Sequence, residues 1–61
     1  MKAKEQNLIM QAAYDLIDFC GGELTMADVK KFWQVRSDEY NVDNHIKNLI
    51  LQTALTTLTF K

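Results

Sequence analysis

The stretch Gly21-Gly22-Glu23-Leu24-Thr25-Met26-Ala27-Asp28-Val29 decides how this chain folds, because it closes one helix and opens another. Gly21 can adopt the left-handed conformation that ends a helix, at no steric cost. Thr25 then reads as a helix cap. Its hydroxyl can accept from the amide of Asp28, and the Asp28 carboxylate sits at the third helical position, near the positive end of the helix dipole. Leu24 before the cap and Val29 at the fourth helical position form a hydrophobic staple that sets the angle of the incoming chain.

Working outward, Leu8, Ile9, Ala12, Ala13, Leu16, Ile17 and Cys20 recur at i, i+4, i+8 and at i+1, i+5, i+9. That spacing predicts a first helix from about Lys4 to Cys20. Downstream of Thr25, Val29, Phe32 and Trp33 fall on one face, and Lys30, Lys31 and Gln34 on the other. A polar stretch from Ser37 to Asn44 leads to a third helix with candidate caps at Asn41 and Asp43 and an apolar face of Val42, Ile46, Leu49, Ile50 and Ala54. Its end is ambiguous. Thr53, Thr56, Thr57 and Thr59 are β-branched and Leu58 alternates with Phe60, a pattern that also suits a strand paired with Gly22-Glu23-Leu24.

The expected fold is mainly α: a single small helical domain over residues 1–61, a compact three-helix unit with room for a short strand pair near 22–25 and 57–60. Its core is expected to draw on Ile9, Ala13, Leu16, Ile17, Leu24, Val29, Phe32, Trp33, Ile46, Leu49 and Ile50.

Composition narrows the function. The chain has 61 residues, with seven Lys and Arg against eight Asp and Glu, a net charge of −1. A chain of this size buries only about 60% of the surface it exposes when unfolded, so a core and a deep substrate cleft do not both fit. An enzyme is not expected. One Cys cannot close an intramolecular disulfide, and one Cys with one His cannot supply a four-ligand zinc site, so neither metal nor other cofactor is expected. With 48% hydrophobic and 25% charged residues the composition is that of a globular domain, not a disordered tail. Glu5, Gln6, Asn7 and Gln11 interrupt any signal core, no apolar run approaches the roughly 20 residues of a membrane span, and a lone thiol suits a reducing compartment. These features lead us to expect a cytoplasmic protein without a membrane partner.

Several residues carry plain readings. Cys20 is expected as a small core residue and His45 as a surface or cap-region residue. Asp15 and Asp18 lie at i, i+3 on the polar side of helix 1 and read as a solvated flank rather than a catalytic carboxylate pair.

The order helix, Gly-Gly-Glu-Leu-Thr, helix, polar turn, helix resembles the helix-turn-helix domains of winged-helix type, most specifically over Glu23–Val29. The resemblance implies that helix 3 is a recognition helix carrying Asn44, Lys47, Asn48 and Gln52 outward, residue types suited to base contacts. A monomer is too weakly basic for a DNA site, whereas a dimer doubling Lys30, Lys31, Arg36 and Lys47 can read a two-fold one. Charge argues the other way. Asp38, Glu39 and Asp43 guard the approach to helix 3, and Ser37–Asn48 sums to −2 with Lys47 counted. Strong DNA sites usually involve about six to ten phosphate contacts.

Apolar surface is in surplus. Helix 1 carries apolar side chains over roughly 240° at 100° per residue, and Leu51, Leu55 and Leu58 fall almost opposite the inward stripe of helix 3. The function expected first is therefore a small non-enzymatic regulatory binding protein, of inhibitor or adaptor type, that docks on a larger protein. Tyr14, Tyr40 and Leu51 are its candidate anchors, with Asp38, Glu39 and Asp43 steering a basic partner surface. A homodimer is expected through Met10 and Tyr14 of helix 1 or Leu51 and Leu55 of helix 3. The alternative is the dimeric helix-turn-helix DNA-binding regulator.

Overall fold

Three helices account for most of residues 3–59, the part of the chain described by a computed structural model: α1 (Ala3–Phe19), α2 (Met26–Val35) and α3 (Asn44–Thr59). The junctions follow from local chemistry. At the end of α1 the Gly22 amide donates to the Ile17 carbonyl at 3.0 Å and the Gly21 amide to Asp18 at 3.2 Å, the paired bonds of a Schellman end. Gly21 and Gly22 take φ of 68° and 88°, a region costly for any residue with a Cβ. Thr25 caps α2 as expected, with extended backbone and its Oγ1 accepting from the Asp28 amide at 3.2 Å. For α3 the cap is Asp43 rather than Asn41: Asp43 Oδ1 accepts from the Ile46 amide at 2.9 Å.

The short strand pair near 22–25 and 57–60 does not form among the described residues. Residues 57–59 are helical, and Phe60 lies outside the described residues. The reason is local. The hydroxyls of Thr53, Thr57 and Thr59 donate to the carbonyls of Leu49, Thr53 and Leu55, four residues back, at 2.8, 2.8 and 2.9 Å. This places each polar group against the helix itself, so the β-branched side chains stay within α3. On the other side of the expected pair, the amides of Gly22 and Glu23 are already committed to the turn that ends α1.

The core forms around α1. Ala12, Ala13 and Ala54 are fully buried, and side chains this small let α1 lie close along α3. Against α2 the contact of α1 is lighter, and no Cα of α2 comes within 8 Å of one in α3. Phe32 fills the space that remains under α2. It is fully buried, with the rings of Phe19, Trp33 and Tyr40 at centroid distances of 5.5, 4.9 and 6.0 Å. Leu24, Trp33, Ile46 and Leu49, expected inside, are only partly buried and pack against the edge of the core; Ala12 and Ala54 are fully buried and Tyr40 is buried with them. The domain measures 28 × 27 × 16 Å between its Cα extremes, little more than two packed helix layers thick, so each helix keeps a face toward solvent. No described helix is long and apolar enough to cross a membrane.

Candidate interaction groove

Two surfaces border α2, and the turn after it determines one of them. Arg36 closes α2, its amide donating to Phe32 at 2.8 Å; its carbonyl then accepts the amides of both Glu39 and Tyr40 at 3.0 Å. This tight return turns the Tyr40 ring inward beneath α2. Tyr40 was expected as an exposed anchor, but only 9% of its surface is accessible. Its hydroxyl donates to Asp15 Oδ2 at 3.1 Å, and Arg36 Nε donates to the same oxygen at 3.3 Å. The Arg36 guanidinium also lies 5.7 Å from the centroid of the Phe19 ring. Asp15 is therefore not part of a solvated flank: burying a phenol requires a partner for its hydroxyl, and Asp15 supplies it. Burial pushes the Tyr40 hydroxyl above its ordinary pKa, and the Asp15 hydrogen bond and charge act in the same direction, with Arg36 opposing. The Cys20 thiol, half-buried beside the end of α1, is raised first by burial and then by the charge of Asp28.

On its other side α2 parts from α3 and leaves an open groove of about 400 Å³. The apolar surface of the groove comes from Met26, Val29 and Trp33 of α2 and Leu51 of α3. Lys30 on one bank faces Asn44, Lys47 and Asn48 on the other. Among the described residues, no carboxylate lines it. Met26 occupies the first position of α2 and is 67% exposed, the most accessible of the exposed large apolar side chains. The Lys47 ammonium stands over the Trp33 ring, 5.4 Å from its centroid, so one face of that ring carries a cation while the indole remains partly open.

The other candidate residues scatter. Asp38 and Glu39 are exposed in the turn after α2, and Asp43 is exposed while its carboxylate caps α3. Tyr40, the aromatic anchor expected among these acids, is turned inward. Met10 and Tyr14 are exposed one turn apart on α1, Tyr14 at 56%, and Leu55 is exposed on α3. Lys31, Gln52 and His45 are exposed outside the groove. Of the DNA-binding candidates the groove gathers Lys30, Asn44, Lys47 and Asn48, while Arg36 is paired with Asp15 on the other side of α2. Met26 and Trp33 were missed as surface residues. Their i, i+7 spacing along α2 was visible in the sequence, but the gap between α2 and α3 that exposes them was not.

Comparison with known proteins finds no matching family model, no matching curated protein and no matching solved structure.

Proposed function

We propose that this chain is a small non-enzymatic regulatory binding protein, of inhibitor or adaptor type, that acts by docking on a larger protein through the groove between α2 and α3. The observation that carries this reading is the presentation of Met26, Trp33 and Leu51 together along one open groove. A Trp ring is among the commonest energetic anchors in protein recognition, and a Met beside it adjusts readily to a partner's shape. DNA binding has weaker support. Arg36 is held by Asp15, and the outward side of α3, formed by His45, Asn48, Gln52, Leu55, Thr56 and Thr59, carries no formal positive charge. Phosphate binding draws on clustered cations, about six to ten contacts at a strong site.

Two measurements test this reading. In a gel shift at physiological salt, the protein should not retard a random duplex; retardation there with no protein partner recovered would overturn it. In a pull-down from the native host, the partner kept by the wild-type chain should be lost when Met26→Ser and Leu51→Ser are combined. Self-association is a second reading, favoured by the exposure of Met10 and Tyr14 one turn apart on α1. Sedimentation at high micromolar concentration should then give twice the 7.1 kDa chain mass, and a pure monomer would end that reading.

A further inference from the structure

The banks of the groove specify the chemistry of what fills it. Both are helices, and no Cα of one comes within 8 Å of a Cα of the other, whereas directly packed helices bring theirs closer, so the space between them is open to a further element. The apolar residues Met26, Val29, Trp33 and Leu51 lie between the banks, as the hydrophobic stripe of an amphipathic helix requires. The charge around them has one sign: Lys30 on the α2 bank, Lys47 on the α3 bank, and otherwise the uncharged Asn44 and Asn48. A helix with basic flanks would meet two cations across the groove, whereas a helix with acidic flanks would place a carboxylate near each.

Resting on the docking function above, we propose that the groove receives an amphipathic helix of a partner protein whose apolar stripe is flanked on both sides by Asp or Glu. The α2 bank has ten residues, about 15 Å of helix at 1.5 Å per residue. The occupant therefore engages over two to three turns, with anchors at i, i+3 or i+4 and i+7. Lys47 has a double role. Its ammonium already lies against the Trp33 ring, so it answers an acid on the incoming helix from a position fixed by that contact.

The chain's single Trp sits in this groove and reports its own occupancy by fluorescence. The probes are two helical peptides of about 14 residues with the same leucine stripe at i, i+3, i+4 and i+7, one flanked by Glu and one by Lys, together with a random DNA duplex. The Glu-flanked peptide should shift Trp33 emission and bind about tenfold more tightly than its Lys-flanked counterpart, with the difference shrinking as salt is raised. Lys30→Glu combined with Lys47→Glu should reverse the preference, in a variant whose circular dichroism and melting match the wild type. Equal binding of the two peptides, or binding of neither, overturns the acidic-helix proposal and leaves the docking function standing. Duplex binding that displaces the Glu-flanked peptide and is lost in the double Glu variant overturns both.

Discussion

On the side of α2 that faces α1 and the turn at residues 36–43, the rings of Phe19 and Tyr40 pack against Phe32, and the turn is tied to α1 through Asp15. On the side that faces α3, the neighbouring Trp33 is left partly open, Met26 projects into solvent, and Lys30 and Lys47 stand across from each other. Adjacent residues of one ten-residue helix thus serve different ends: Phe32 is fully buried and holds α2 in place, while Trp33 packs against Phe32 and also lines the groove. The difference shows how a chain this small combines a fold with a recognition surface. One helix is fixed from a single side, and its other side is left unfilled.

The largest effect expected from breaking this arrangement is at its closed side. Phe32→Ala removes a fully buried ring, at a typical cost of about 3–5 kcal/mol, comparable with the whole stability of a domain of this size. Its cooperative thermal transition should disappear, with Phe32→Leu retaining one at a lower midpoint. An Ala variant that melts like the wild type would mean that α2 is held from the groove side instead.

A smaller effect is expected at Asp15. Asp15→Ala strands the Tyr40 hydroxyl and the Arg36 guanidinium, but the Arg36 and Asp15 side chains are 30% and 27% exposed, so water can partly replace the contact. The cost should be about 1 kcal/mol, a fall in Tm of about 4–8 °C for a domain of this size. Alkaline titration sharpens the same point. Because folding raises the pKa of the Tyr40 hydroxyl, the folded state holds that proton more tightly than the unfolded chain does. Its stabilising contribution is complete below the ordinary tyrosine value near 10 and is lost as pH rises through the raised value. Cys20 contributes with the same sign, beginning at its lower ordinary value. Tyr40→Phe should flatten the alkaline loss of stability; an unchanged slope would remove Tyr40 from the account.

The smallest effect is expected on the open side. Met26→Ser should alter stability by no more than about 0.5 kcal/mol, as replacements of exposed residues usually do. A denaturation midpoint lowered as far as that of Asp15→Ala would mean that Met26 belongs to the core and that the groove is closed in solution.

How much of this was legible in the sequence depended on the distance over which each feature is determined. The Thr25 cap, the Gly21 end of α1 and the stripe of α1 were readable because each is settled within a few residues. The pairing of Tyr40 with Asp15 joins residues 25 apart in sequence and exists only because the turn after Arg36 folds back under α2, so no local pattern announced it. The groove was hidden for a related reason. Its lining comes from two helices whose separation depends on how each packs against α1, and periodicity ranks faces without saying which of them meet. The threonines near the end of α3 were ambiguous because β-branching suits strands, whereas hydroxyl bonding to the preceding turn can be satisfied within a helix.

Those threonines also bear on what happens when the fold is lost. From Asn48 to Phe60 the chain has no charged residue and no proline, and Leu49-Ile50-Leu51 and Leu55-Thr56-Thr57-Leu58-Thr59-Phe60 are rich in residues that favour extended pairing. Within α3 the backbone of Asn48–Thr59 is engaged in the helix, and three of the hydroxyls are folded onto it. A melted chain releases an uncharged, strand-prone segment able to stack with its copies, the composition from which cross-β assemblies grow. Helix α3 thus acts as a safeguard against aggregation as well as one bank of the groove. Heating should be irreversible at high protein concentration and reversible when dilute; full recovery on a second scan at both concentrations would deny α3 that protective role.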